Sequence, residues 1–340
     1  MGDAVRVAPP SLVIQTSFLG DVVLTTPLLT YLALQGPVDV VTTPAGGALL
    51  EGHPAVRRLI RYDKRGAQRG IGGLRSLAVQ LRSAQYAVAY LAQGSWRSAA
   101  LAWLARIPSR VGFDSSAGSG LYTSRVPYRR AWHHATRLFQ LAAHDVSRET
   151  PSPSLFPQVA DRDAVTALIA RGPFHPGPFI AVAPGSVWAT KRWPDFPSLV
   201  ASLSNGYGIV VVGGADDRAL AGDIVTAAPD RVLDATGQLS LLASAELIRR
   251  AAAIVTNDSL PQHLASAMGT PTVTLYGPTL PAFGFGPLAP MRAIVEHPPG
   301  LECRPCSAHG PQVCPRGHFR CMREISVLTV ADALTPLLRS

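Results

Sequence analysis

Short apolar runs alternating with longer amphipathic ones constrain this chain more than any other feature. Runs at 12–14, 38–41, 87–91 and 110–113 are too short to be helices and read as strands, while 22–34, 74–84 and 98–106 read as helices. Strands and helices in alternation predict a parallel sheet covered by helices on both faces. The pattern halts at 147–157, where Pro151, Pro153 and Pro157 mark a linker. It then restarts with strands at 179–183, 209–212, 254–256 and 272–276. Helices at 162–171, 196–203, 219–227, 240–252 and 261–268 surround them. A chain of 340 residues is therefore expected to hold two α/β domains in series, 1–155 and 156–325. Neither a solenoid repeat nor a heptad run interrupts this reading.

Charge narrows the partners. Lys plus Arg number 31 against 22 Asp plus Glu, a net charge of +9, which favours nucleotides, phosphorylated lipids or nucleic acid. Nucleic acid is disfavoured, because the chain has no concentrated basic stripe and no aromatic RNA motif. The only lysines are Lys64 and Lys191, so a lysine inside a motif is informative. Asp21 interrupts the longest apolar candidate, 12–29, and no run approaches the ~20 residues of a spanning helix. No basic stretch with an apolar core and cleavage site opens the chain, so a cytoplasmic location is expected.

Open parallel sheets bind ligands beyond the carboxyl ends of their strands, and two such halves facing each other place a site in the cleft between them. Three post-strand loops carry suitable chemistry. After the first strand, Gly20 permits a tight turn and Asp21 opens a helix, either as a capping carboxylate or as a base. This loop lacks the G-x-G-x-x-G of dinucleotide enzymes. After the strand at 179–183, Ser186, Thr190, Lys191 and Arg192 are either donors to a diphosphate or solvated surface groups. After the strand at 254–256, Asp258, Ser259, Leu260 and His263 surround a helix start at Pro261, whose amides suit an anion. Asp258 as a cap and His263 as a core residue is the alternative. A hydrolase triad is excluded, since G-x-S-x-G is absent. Gly213, after another strand, either lets a nucleotide approach the backbone or forms an ordinary turn.

All four cysteines fall in Cys303-x2-Cys306-x7-Cys314-x6-Cys321, flanked by His309 and His318. Such clustering suggests a structural zinc site, with unligated thiols or a redox pair as the alternatives.

The loops together resemble the ADP-heptose:lipopolysaccharide heptosyltransferases of glycosyltransferase family 9, heptosyltransferase II-like members above all. The resemblance rests on Ser17-Phe18-Leu19-Gly20-Asp21 through Pro27, Pro184-Gly185-Ser186 through Pro194, Asn257-Asp258-Ser259 through Ala265, and Tyr276-Gly277-Pro278-Thr279. It implies an α/β GT-B fold of two Rossmann-like domains across a cleft, the acceptor on the first and the nucleotide sugar on the second. It also implies that a helix in 326–340 packs back on the first domain. Inverting transfer of heptose from ADP-L-glycero-β-D-manno-heptose to the lipopolysaccharide inner core follows, without a catalytic metal or cofactor. Asp21 is then the base that deprotonates the acceptor, of Kdo-lipid A type. Lys191 neutralises the departing diphosphate, and Gly20, Ser186, Thr190, Gly213, Asp258, Ser259, Leu260 and His263 bind substrate. The implied location is the cytoplasmic face of the inner membrane, in peripheral contact with it. Many relatives carry Arg in place of Gln15 and Gly in place of Leu260. Another family 9 donor or acceptor, or a non-catalytic nucleotide-sugar-binding protein of this fold, are the alternative readings.

Overall fold

The computed structural model describes residues 9–143, 150–174, 176–203 and 206–338; positions 147–149 of the expected linker lie outside them. The chain divides into two compact units, residues 1–156 and 157–340.

The first unit holds strands β1 (Ser11–Gln15), β2 (Val38–Thr42), β3 (Arg58–Arg61), β4 (Val88–Leu91), β5 (Ser109–Phe113) and β6 (Ser124–Val126). All pair in parallel, in the order β3-β2-β1-β4-β5-β6. Its helices are α1 (Leu19–Ala33), α2 (Pro44–Leu49), α3 (Gly70–Ser83), α4 (Trp96–Leu104) and α5 (His134–Phe139). The second unit opens with α6 (Val159–Ile169) and contains strands β7 (Phe179–Ala183), β8 (Gly208–Val211), β9 (Val232–Asp234), β10 (Ala253–Asn257), β11 (Thr272–Tyr276) and β12 (Arg292–Glu296). Their order, β12-β11-β10-β7-β8-β9, is again wholly parallel. Counted within the unit it repeats the first sheet. Helices α7 (Phe196–Ser202), α8 (Arg218–Ala227), α9 (Leu241–Arg250), α10 (Leu260–Met268), α11 (Arg320–Arg323) and α12 (Val327–Leu334) complete it.

Each sheet is doubly wound, so its strand order reverses once, between β1 and β4 and between β7 and β10. Crossover helices leave in opposite directions there and open a crevice at the carboxyl ends. Central strands are apolar on both faces: Leu12, Val13 and Ile14, and likewise Ile254 and Val255, are 0% exposed. Each such side chain contributes about 1.5–3 kcal/mol by leaving water. Val330, Leu334 and Leu337 join the core of the second unit, where α12 packs on α7, β11 and β12. Val330 and Leu334 of α12 thus bury their side chains within the second unit. Among the described residues no helix is long and apolar enough to cross a membrane.

Two histidines of the first unit are folded in neutral form. Burial pushes His53 down to about 4, and burial, then the charges of Arg137 and His133, pushes His134 down to about 3. The unfolded chain binds these protons near pH 6.5, so the stability they report is complete above that value and is lost as pH falls. The slope approaches about 1.4 kcal/mol per pH unit for each histidine. Urea unfolding at pH 7, 6 and 5 checks this; a flat profile over that window contradicts neutral burial.

Candidate active site

Asp21 lies in the first turn of α1, directly beyond the end of β1, where unpaired amides favour a negative charge. Gly20 is the second residue of that helix and is helical, so the tight turn expected of it is not formed. Gln15, buried at the end of β1, shapes the loop. Its Oε1 accepts the Ser17 amide at 3.2 Å and lies 2.7 Å from the Ser17 hydroxyl. Its Nε2 donates to Thr25 Oγ1 at 3.1 Å. The Ser17 hydroxyl also stands 2.6 Å from Asp21 Oδ2. With one proton it donates to one of the two acceptors at a time, and the charged carboxylate is the stronger. Gln15 thus holds the loop through neutral hydrogen bonds at both ends of its amide.

Two residues of α5 complete these surroundings. His134 Nε2 is 3.6 Å from Asp21 Oδ1, yet the imidazole is neutral at pH 7, because burial, then the charges of Arg137 and His133, push its pKa down to about 3. The contact is not an ion pair. Arg137 is the cation that feels Asp21: burial lowers its pKa, while Tyr128 and Asp21 act in the opposite direction. The Asp21 side chain keeps 20% of its surface exposed, so a ligand hydroxyl can reach it.

In the second unit, loops after three adjacent strands converge. Asn257, the last residue of β10, donates Nδ2–H to Pro184 O at 2.8 Å and accepts the Trp193 amide on Oδ1 at 3.1 Å. It thereby ties both ends of the loop after β7 to β10. That brings Lys191 to Asp258, Nζ to Oδ2 at 2.6 Å, with both side chains 10% exposed. Nζ also donates to Asp258 O at 3.2 Å. Thr279, after β11, donates to Asp258 Oδ2 at 2.7 Å, and Gln262 of α10 donates to Oδ1 at 3.1 Å. Arg304 holds the Thr279 loop through Gly277 O at 2.6 Å and Thr279 O at 3.0 Å. A buried ammonium fixed between a carboxylate and a carbonyl is costly to move and accurately placed.

Ser259 is the N-cap of α10 but does not cap it with its side chain. Its hydroxyl reaches back to Gly185 O at 3.3 Å. Leu260 is the first helical residue, so the start of α10 stands beside the Lys191–Asp258 pair. His263 is buried in the second turn, 3.4 Å from Gln262 Nε2. Ser186 accepts the Trp188 amide at 3.3 Å, and Arg192 Nε holds Ser186 O at 2.9 Å. Two expected binding residues have other work. The Thr190 hydroxyl donates to Pro311 O, which turns it toward the 303–321 loop. Room at Gly213 is taken by Asp217: a Cβ there would lie 2.7 Å from Asp217 Oδ2, and one on Gly185 2.2 Å from Oδ1. Asp217 in turn accepts the Gly214 amide at 2.9 Å.

The structural zinc site suggested by the four cysteines is not shown. All four are free thiols, and among the described residues no three His, Cys, Asp or Glu side chains gather in a metal-holding group. Cys321 belongs to the apolar core, where burial, then the other three cysteines, pushes its thiol up to about 11. Burial raises Cys314, but four backbone N–H groups between Arg316 and Phe319 together outweigh it and bring the thiol down. Cys303 Sγ meets His318 Nε2 at 3.7 Å, and Cys306 Sγ donates to Cys303 O at 3.4 Å.

Two doubly wound parallel sheets, each with polar residues at its carboxyl ends, define a GT-B-type α/β protein. The fold matches the structure of Escherichia coli ADP-heptose lipopolysaccharide heptosyltransferase II with a TM-score of 0.81 at 27% identity. That match covers 97% of this chain and 98% of the other. A family 9 glycosyl transferase structure from Veillonella parvula matches at 0.84, with 24% identity over 98% and 97% of the two chains. Lipopolysaccharide heptosyltransferase 2 of Salmonella typhimurium is 30% identical over 291 residues, 80% of this chain and 84% of that protein. The model of glycosyltransferase family 9 (heptosyltransferase) matches residues 74–311. The chain belongs to glycosyltransferase family 9, and it is a glycosyltransferase.

Proposed function

We propose that the protein transfers heptose from ADP-L-glycero-β-D-manno-heptose to the lipopolysaccharide inner core, with inversion and without a metal. The observation that carries this reading is that each unit, taken by itself, offers chemistry beyond the carboxyl ends of its strands: an accessible carboxylate, Asp21, after β1 of the first unit, and a buried, pre-positioned Lys191 after β7 of the second. Both sit beyond the strand ends where doubly wound sheets bind ligands, and relatives at about 30% identity are named lipopolysaccharide heptosyltransferase 2.

In the proposed reaction Asp21 accepts the proton of an acceptor hydroxyl. The hydroxyl oxygen attacks the anomeric carbon from the face opposite the nucleotide, so the new glycosidic bond has inverted configuration. The bond from that carbon to the β-phosphate oxygen breaks, and ADP departs with the electron pair. Lys191 and the start of α10 oppose the charge developing on the diphosphate, the task a divalent ion performs in other nucleotide-sugar enzymes. Asp258 holds Lys191 and contacts the donor sugar. Ser186, Ser259 and the Leu260 amide line the diphosphate, and His263 supports them from α10. Ser17 orients Asp21, and Arg137 is the cation beside it. The same reading places the enzyme at the cytoplasmic face of the inner membrane, where its lipid-linked acceptor resides and its +9 charge favours anionic lipid.

A transfer assay with a panel of nucleotide sugars and truncated lipopolysaccharide acceptors, read by product mass, tests this. Turnover with ADP-heptose and no added metal is expected. Turnover only with a different nucleotide sugar rejects the donor.

A further inference from the structure

Gln15 reaches Asp21 by two routes, and its amide can face only one way. Nε2 donates to Thr25 Oγ1 at 3.1 Å and to Ala92 O at 3.3 Å, while Oε1 accepts the Ser17 amide at 3.2 Å. Turned over, the amide would set its oxygen against the Ala92 carbonyl and its N–H groups against the Ser17 N–H, losing both bonds. Thr25 in turn donates to Asp21 O at 2.6 Å. One route therefore ends on the Asp21 main chain. The other ends on its carboxylate, through the Ser17 hydroxyl, which lies 2.7 Å from Gln15 Oε1 and 2.6 Å from Asp21 Oδ2.

Which of those two oxygens receives the hydroxyl proton depends on the charge of Asp21. A carboxylate wins, because charge-assisted hydrogen bonds are roughly twice as strong as neutral ones. Once Asp21 has taken up a proton that advantage is gone, and rotation of the O–H bond alone hands the hydroxyl proton to Gln15 Oε1. No heavy atom has to move. The charged and titratable groups packed around Asp21 come from several elements. On α5 they are His133, His134 and Arg137, with His134 Nε2 3.6 Å from Oδ1. Lys64, after β3, donates to Thr16 O at 2.6 Å, one residue before Ser17. Asp39 of β2 is occupied by Arg57 and Tyr86, and α2 carries no titratable side chain. All of these stay in place when Gln15 or Ser17 is changed.

We propose that Gln15 and Ser17 form a hydrogen-bond switch that follows the protonation of Asp21: the serine hydroxyl turns to the charged carboxylate, and to Gln15 Oε1 once the carboxylate is protonated. Gln15 is thus a positioning residue that stabilises the protonated form and makes Asp21 a stronger base. The inference rests on the reading of Asp21 as the base for its use in transfer, but not for its hydrogen bonding, and the experiment separates the two. Q15M keeps the length of the side chain and removes the second acceptor, so only the protonated form loses a bond and Asp21 should titrate at lower pH. S17A removes the donor to the charged form, so Asp21 should titrate at higher pH. In Q15M/S17A no hydroxyl is left to redirect, and the titration should match that of S17A. Carbon-13 carboxyl shifts of the aspartate-labelled full chain, followed from pH 8 to 4.5 with the Asp21 signal identified by its absence in D21N, read each variant. Q15L serves as a second replacement of the glutamine with the same expectation. Displacements in opposite directions, each roughly half a pH unit or more, support the switch. Displacement in the same direction, or none on losing Gln15, overturns it, because a glutamine that only fills space moves both variants alike. In transfer, Q15M should lower kcat roughly three- to tenfold while both KM values stay within about twofold, and an unchanged kcat overturns the positioning role. Opposite titrations with no heptose transfer by the wild type keep the switch and reject the transferase reading.

Discussion

Replacing Asp21 by Asn is expected to lower kcat by about 10²–10⁴ while the donor Kd stays within about twofold. Asn keeps the shape of the side chain and its place in the first turn of α1, and its amide oxygen still accepts from Ser17, 2.6 Å away in the parent. What it lacks is a lone pair basic enough to hold a proton in the transition state. Because Asp21 lies on the first unit and the proposed donor groups on the second, binding and chemistry separate cleanly. Single-turnover rates from product mass, together with calorimetric ADP binding, give both quantities. A variant that keeps more than about a tenth of wild-type kcat removes Asp21 as the base, since loss of general-base assistance leaves less than that.

The second large effect is on stability. Asp258→Ala leaves the Lys191 ammonium, 10% exposed, without its carboxylate, and leaves the Thr279 and Gln262 donors without their acceptor. Breaking a buried pair from one side costs about 3–5 kcal/mol, to be read as a lower urea midpoint. The double variant K191M/D258A should recover part of that loss, because it removes the orphaned charge as well; coupling of this kind is what a double-mutant cycle isolates. Equal midpoints for the single and double variants would show that the pair is not the source of the effect. Donor affinity should fall in both, since Lys191 is either dislodged or absent.

Most of this architecture is legible before folding, and the exceptions share a cause. The central strands β1, β7, β8 and β10 carry short continuous apolar runs, because a strand with a neighbour on each side and helices above and below has no wet face; β2 is interrupted by Asp39, whose buried carboxylate pairs with Arg57. The strands that local hydrophobicity misses are β3, β6, β9 and β12, the four edges of the two sheets. They are short and partly exposed, with burial reduced to a residue or so at Ile60, Val232 and Val295, so nothing in their composition sets them apart from loops. Charged edges such as Arg58, Arg61 and Arg292 also guard against pairing with other chains.

The site divides in the same way. Asp21, Lys191 and Asp258 stand out because each follows an apolar strand, a relation carried entirely by neighbours in the chain. Their partners do not stand out: Lys191 and Asp258 are 67 positions apart, and Thr279 is 21 beyond Asp258. Gln262, four residues from Asp258, could have been found from helical spacing; Thr279 was visible only as part of a motif. His134 and Arg137 came to Asp21 through the packing of α5 on α1. Nor does the spacing of the cysteines reveal that Cys321 packs into the core of the second unit. Local order along the chain thus specifies which residues end up at strand ends, because backbone hydrogen bonding and burial act within a few positions. Which of them touch, and whether a lysine meets a carboxylate or a phosphate, depends on sheet order and helix packing, which join residues far apart in the chain.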